Sequence, residues 1–310
     1  MPLERLVSVR AEFRDRELCI LCGGADLQII WQGRFCDGPV RTWMRAMHYS
    51  GDIEQALGDE AFARVACRDC GMCFHRHILV NEWLATLYAA WISATQIDTF
   101  EADLRKNYPD AVFASGTQLI KHLLRLRYLS REHGRQPLRL LDFGCGDGKF
   151  LGLAAALGFE ISGVDASASR RARAENAGIP VASSLSELDT RDGYDCVTLF
   201  EVLEHVADPR GILDALRAQM RPHAVLLIEV PDCRGICIPR SFDEFVTVQP
   251  LEHINHFTPD TLTDFCRRAG FIPASRVPAH VTTDPLALIK TEASRLMRRA
   301  TTTSQYFRRG

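Results

Sequence analysis

From Leu138 onward, short apolar runs alternate with longer amphipathic stretches: LRLLDFG, GKFLGLAAALG, EISGVD, ASRRARAENAG, YDCVTLFE, PRGILDALRAQM and AVLLIEV. A short continuous apolar run suits a strand buried on both faces. A stretch with apolar residues three or four apart suits a helix. The alternation predicts βαβ units and a parallel sheet with helices on both faces. Ser167, Asp208 before Pro209, and Thr258 before Pro259 and Asp260 each place a side-chain oxygen where a helix N-terminus needs an acceptor. Just upstream, TQLIKHLLRLRYLSREHG sets Leu119, Ile120, Leu123, Leu124 and Leu126 on one stripe and stops at Gly134, which predicts a helix lying on the sheet.

The first part of the chain has a different rhythm. Residues 1–82 show little helical periodicity before about Ile78, and two Cys-x-x-Cys-Gly pieces interrupt short apolar stretches, as in a small loop-rich module. Trp83, Leu84, Leu87, Tyr88 and Trp91 then predict a linking helix, followed by a charged connector over Glu101 to Tyr108 that Pro109 closes. The expected domains are a zinc-binding module over 1–82, a linking helix and connector over 83–115, a catalytic core over 116–285, and a basic tail over 286–310. The tail, with Arg295, Arg298, Arg299, Arg308 and Arg309, reads as a solvated helix with a frayed end. The expected fold class is α/β: a Rossmann-like, doubly wound, mostly parallel sheet with a small N-terminal zinc-binding module.

Composition narrows the function. A chain of 310 residues is comfortable for two domains, and 46% hydrophobic with 25% charged residues is ordinary for a globular protein. A formal net charge of -2 gives no support to a nucleic-acid partner, and none is expected. The N-terminal MPLERLVSVRAEFRDRELC has no apolar segment of a signal peptide, and no run reaches the roughly 18 apolar residues of a membrane span, so a cytoplasmic protein is expected. Eleven cysteines, an odd number without an export signal, point to thiol or metal chemistry rather than a disulfide framework.

Candidate chemistry concentrates in LLDFGCGDGK, where a strand ending in Asp142 opens through Gly144, Gly146 and Gly148 into a helix. Glycines at such a turn let backbone pass close under a ligand, and the helix N-terminus favours polar groups. About 20 residues on, Gly163-Val-Asp165 ends a second strand in an acid, where a carboxylate can hold a ribose diol. The glycines lack the Gly-x-Gly-x-x-Gly spacing of nicotinamide enzymes. In the N-terminal module, Cys19, Cys22, Cys67 and Cys70 supply four thiolates, the number a structural zinc ion takes, with Cys36, Cys73, His75 and His77 as nearby spare donors. The remaining cysteines, Cys145, Cys196, Cys233, Cys237 and Cys266, read as small core residues.

Together LLDFGCGDGKFL, GVDAS and DCVTLFEVLEHVADP resemble the successive motifs of class I S-adenosylmethionine-dependent methyltransferases, over about Gly116 to Val281. The resemblance implies S-adenosylmethionine as cofactor. It puts Asp142, Gly144 and Gly146, with Cys145 in the same turn, at the amino-acid end, Asp165 on the ribose, Ala166 against the adenine, and Phe200, Glu201 and Val202 beneath the sulfonium. The loop Ala182-Ser-Ser-Leu lacks the acid that many relatives place near the adenine amine, which leaves Ser183 or a backbone group for that contact. Two Cys-x-x-Cys pairs ahead of such a core resemble the sugar-nucleotide C-methyltransferases, without their further C-terminal domain. In that family a Tyr-x-Glu-His run serves the reaction. Here Glu252 and His253 match its last two positions, and Pro250 stands in the tyrosine's place. His205 corresponds to another active-site histidine.

These readings predict a methyltransferase acting on a small-molecule acceptor, a hydroxyl or carbon of a sugar or related natural product, with His253 as base beside Glu252 and His205, and His256 as a structural anchor. Two rivals are an RNA methyltransferase using Trp31, Phe35 and Trp43 with neighbouring arginines, and a non-catalytic cofactor-binding protein. The oligomeric state is not predicted.

Overall fold

In the structure, a computed structural model, residues 10–92, 95, 98–99, 102, 109–134, 136–189, 191–275, 277 and 302–310 are described. The connector over 103–108 and the tail over 286–301, with Arg295, Arg298 and Arg299, lie outside the described residues. In chain order the strands are β1 (Phe13–Asp15), β2 (Leu27–Arg34), β3 (Ala61–Cys67), β4 (Cys73–His75), β5 (His77–Leu79), β6 (Arg139–Phe143), β7 (Glu160–Val164), β8 (Val181–Ala182), β9 (Tyr194–Phe200), β10 (Met220–Glu229), β11 (Asn255–His256), β12 (Phe271–Pro273) and β13 (Ser304–Arg309).

The chain divides into two compact units, and neither is a single stretch of sequence. The first comprises Met1–Pro109, Glu204–Ala207 and Cys233–His256. It holds a four-stranded antiparallel sheet in the order β11-β4-β3-β2 and a separate β1-β5 pair. The expectation of a loop-rich module over 1–82 is therefore corrected. Four of its strands, β1, β4, β5 and β11, are only two or three residues long, and β2 slips register between Ile29 and Trp31, which breaks the period-two pattern that would announce it. Nor is its core confined to the N-terminal residues: Trp31, Phe35, Phe62 and Leu87 pack in one cluster with Phe245, Val248 and Leu251.

The second unit comprises Asp110–Leu203, Asp208–Asp232 and Phe257–Gly310, around a seven-stranded sheet in the order β12-β13-β10-β9-β6-β7-β8. The pairs β8-β7, β7-β6, β6-β9 and β9-β10 are parallel, as the alternating pattern predicts. The fold is the expected α/β, mostly parallel, Rossmann-like architecture. The helix Pro109–Leu129 sends Leu123, Leu126 and Leu129 into the core with Leu140, Leu151, Val225 and Leu227. All three capping oxygens act as expected: Ser167 accepts from Arg170 N, Asp208 from Gly211 N, and Thr258 from Thr261 N in a full capping box.

The C-terminal residues overturn one expectation. Ser304–Arg309 forms an antiparallel strand between β10 and β12, not a solvated helix, so this part of the basic tail belongs to the core sheet. Phe307 is fully buried there, while the Arg308 guanidinium donates to the carbonyls of His223 and Leu129.

Candidate functional site

The turn after β6 stands at the carboxyl end of the parallel strands, where open α/β sheets bind ligands. Gly144, Gly146 and Gly148 have φ of +79°, +55° and +76°, a region L side chains avoid. At Gly144 space adds to conformation: a Cβ would stand 2.5 Å from Val202 Cγ2. The turn is laced to the end of β7, with Gly144 N donating to Val164 O at 2.7 Å and Gly146 N to the Asp165 carboxylate at 2.9 Å. Ser167 N donates to the other Asp165 oxygen at 2.8 Å, and Arg171 holds the Asp165 and Ala166 carbonyls. Asp165 is thus a buried carboxylate fixed by backbone amides at a strand end.

Asp142 lies deeper. Burial drives its carboxyl up to about 7, against the lowering effect of a 2.7 Å hydrogen bond from Thr198 Oγ1, and nearby Asp165 adds to the rise. Cys145 is mostly packed away, its thiol pushed up to about 12 by burial. Phe200 rests edge-on against Phe150 at the end of β9. The next residue, Glu201, has φ +52°, rare for a side chain of its kind, and its amide donates to Glu229 O at 2.9 Å. Such a backbone persists only where its surroundings over-determine it, and it marks the turn Phe200-Glu201-Val202 as a built feature. Sequence reasoning missed Glu187: its carboxylate accepts from Ser183 N at 2.9 Å and from the Ser183 hydroxyl, which brings an acid to the loop thought to lack one.

The first unit gathers a second group of polar side chains. Glu252 is 6% exposed, and its carboxylate accepts from the Tyr49 hydroxyl at 2.6 Å and lies 3.1 Å from His48 Nε2. Burial would raise this acid, but the His48 imidazole, then His205 and the Tyr49 hydroxyl, outweigh it and hold the carboxyl at about 2. Tyr49 is pushed well above 10 by burial and by Glu252. Glu252 and His253 are therefore not a hydrogen-bonded pair. His253 Nδ1 instead lies 3.0 Å from the Thr247 carbonyl, to which it donates, leaving Nε2 with a lone pair. Burial lowers His253 below its usual value, so the ring is neutral at pH 7. The His205 and His253 rings meet edge to face at 4.9 Å, and the Tyr88 hydroxyl lies 3.1 Å from His205 Nδ1. Glu204 Oε1 lies 3.7 Å from His205 Nε2.

The structure thus brings Glu252, His253 and His205 into one region and adds Tyr49, His48, Tyr88 and Glu204. Glu204 was readable as His205's neighbour in the chain. Tyr49 and His48 carried no local signal, because they lie far from Glu252 in the chain, Tyr49 by 203 positions. His256, expected as an anchor, lies on β11, where it accepts from Arg64 Nε at 3.1 Å and packs against His75.

Cys19, Cys22, Cys67 and Cys70 form one cluster, their sulfurs all within 4.8 Å of one another, with Cys19–Cys70 and Cys22–Cys67 each at 3.5 Å. A tetrahedral zinc ion with Zn–S near 2.3 Å sets its sulfurs roughly 3.8 Å apart, so this donor set fits the ion. Leu21 N and Gly24 N point at the Cys19 and Cys22 sulfurs. Of the spare donors, the two histidines are used otherwise: His75 Nε2 is held by Val248 O, and His77 by Asp15 and Glu60. Of the remaining cysteines, Cys145, Cys196, Cys233 and Cys266 are buried, and Cys237 is exposed rather than in the core. Among the described residues no helix is long and apolar enough to cross a membrane.

A family model described as a methyltransferase domain matches residues 116–274. A ubiquinone biosynthesis O-methyltransferase of Cereibacter sphaeroides is 32% identical over 161 residues, 46% of this chain and 63% of that protein, under two thirds of its length. Another of that name, from Ruegeria pomeroyi, is 32% identical over 48% of this chain and 66% of the relative. Among solved structures, the plantazolicin methyltransferase BpumL in complex with SAH aligns over 73% of this chain and 94% of that chain, at 13% identity and TM-score 0.46.

Proposed function

The chain belongs to the methyltransferase-domain family, and from that membership we propose that it transfers the methyl group of S-adenosylmethionine to a small-molecule acceptor. The observation that carries the reading is the turn after β6, whose left-handed glycines are tied to the buried Asp165 carboxylate. In this reading Asp165 takes the ribose hydroxyls and Ala166 lies against the adenine, with Glu187 available to the adenine amine through its loop. Asp142 and the turn Gly144-Cys145-Gly146 meet the amino-acid end, and Phe200-Glu201-Val202 lies beneath the sulfonium.

The acceptor is assigned to the His205 and His253 imidazoles, with Glu252 as a fixed negative charge. Methyl transfer is an in-line displacement, so the protein's part is to align the nucleophile and provide for loss of its proton. Only two residues of sequence separate Val202 from His205. A hydroxyl acceptor is favoured, since the relatives are named as O-methyltransferases. A carbon acceptor on a sugar or natural product is the second reading. It gains from Tyr49, whose hydroxyl on Glu252 supplies the tyrosine that Pro250 displaces from the Tyr-x-Glu-His run. RNA loses support, because Trp31 and Phe35 are packed in the core and offer no faces to bases. The four-cysteine cluster is read as a structural zinc site.

Calorimetry with S-adenosylmethionine tests the cofactor assignment. Asp165→Ala removes charge-assisted hydrogen bonds of about 1.5–3 kcal/mol each and should weaken binding at least tenfold. An unchanged affinity would remove Asp165 from the site. A panel of catechols, diols and sugar nucleotides, followed by product mass, then identifies the acceptor class.

A further inference from the structure

The geometry points to a second metal site: Glu204, His205 and His253 form a centre for one divalent transition-metal cation, which binds the acceptor's oxygen. This inference rests on the acceptor site proposed above. One ligand atom from each residue lies within 4.8 Å of the others. The Glu204 oxygen and His205 Nε2 are already 3.7 Å apart. Ligands about 2.0–2.2 Å from one ion stand roughly 3–3.5 Å apart in a tetrahedron, so small side-chain shifts close the set.

The second observation is how the imidazoles are anchored. A metal-binding histidine commonly gives its other ring nitrogen to a fixed partner, which sets the tautomer and aims the lone pair. Both rings here have such a partner: His253 Nδ1 on the Thr247 carbonyl at 3.0 Å and His205 Nδ1 by the Tyr88 hydroxyl at 3.1 Å. In His253 donation from Nδ1 to the carbonyl puts the ring's lone pair on Nε2. Glu204 is 1% exposed and supplies the negative charge, while its two partners are only partly buried, which leaves coordination positions open on their side. Three protein ligands with open positions are the pattern of a catalytic centre, whereas four thiolates close a structural one. Two imidazoles and a carboxylate select a first-row transition metal over magnesium.

Such a cation lowers the pKa of a bound hydroxyl. The acceptor's proton leaves to solvent and its oxygen forms the bond to the methyl carbon. The carbon–sulfur bond breaks with its electron pair on sulfur, giving S-adenosylhomocysteine.

Cobalt(II) titration of the full chain tests this without recourse to turnover. Cobalt on the cysteines shows strong sulfur-to-metal charge transfer, whereas cobalt on nitrogen and oxygen shows weak visible bands and shifted imidazole proton resonances. We expect both signatures in the wild type. Glu204→Gln and His253→Ala should lose the second signature and keep the first, which reports that the first unit is folded. Tyr88→Phe should weaken the second site about tenfold. Equal second-site isotherms in the wild type, Glu204→Gln and His253→Ala would overturn the site. Full turnover after a chelator has removed the second cobalt would overturn its part in the reaction and leave the imidazoles as the bases, whereas failure of the wild type to bind S-adenosylmethionine would remove the functional reading itself.

Discussion

A carboxyl buried beneath a glycine turn is a poor anion, and Asp142 is such a group. Its ordinary value near 3.8 is raised to about 7, so the folded protein holds a proton there that the unfolded chain releases. That proton stabilises the cofactor-free fold at low pH. The stabilisation is lost as pH rises from about 4 and is gone above about 7. An ammonium beside Asp142 would reverse the preference and favour the carboxylate. Binding of S-adenosylmethionine should therefore tighten by about tenfold per pH unit up to about 7, then level off and fall as the cofactor's own amine, with a pKa near 7.7–8.0, loses its charge. Calorimetry across pH checks this. Asp142→Asn should flatten the acid limb, and a wild-type profile flat from pH 5 to 7 would remove Asp142 from the amino-acid end. The strand-turn-helix pattern made Asp142 and Asp165 readable as candidates, because a local run of sequence sets both. Glu252's partners were not readable: Tyr49 and His48 reach it through folding, and no spacing rule connects them.

Among the elements, those built from local signals followed the sequence, the buried parallel strands included. Ser167, Asp208 and Thr258 cap helices where a short oxygen-bearing side chain precedes a helix-compatible residue. Thr258→Ala should cost about 1 kcal/mol, read as a lower denaturant midpoint at constant m-value. β13 is the contrary case. Ser304–Arg309 has only Tyr306 and Phe307 as apolar residues among arginines and polar neighbours, and its strand identity comes from pairing with Val225–Glu229 and Phe271–Pro273. A chain ending at residue 301 would expose the β10 edge and remove the buried Phe307 and Tyr306. Edges of that kind invite association. The expected outcome is a protein that aggregates or melts well below the full chain. A truncated chain with an unchanged transition would show that β13 contributes little to the sheet.

At the scale of the whole molecule, the sequence suggested domains laid end to end, because composition and periodicity are local properties of the chain. The structure threads two units from interleaved segments, and the consequence can be tested with a chain beginning at residue 110. Such a chain keeps every strand of the seven-stranded sheet and every residue assigned to the cofactor. It also keeps Cys233–His256 without the N-terminal part of the first unit. Phe245, Val248 and Leu251 would lose Trp31, Phe35 and Phe62 from their cluster, β11 would lose β4, and the Glu252 carboxylate would lose Tyr49 and His48. Exposed apolar residues and a carboxylate without its partners both act against solubility and a fixed acceptor site. The 110–310 chain should therefore aggregate or bind a hydrophobic dye strongly. Cys22→Ser or Cys67→Ser in the full chain should be milder, losing the bound metal and lowering the first unit's transition while S-adenosylmethionine still binds. The contrast separates two sources of stability. A metal-free variant loses one cross-link from a unit whose aromatic core remains, whereas the shortened chain loses most of that core. If the 110–310 chain proved soluble, well ordered and free of dye binding, Cys233–His256 would not depend on the N-terminal residues, and the domains would be consecutive after all.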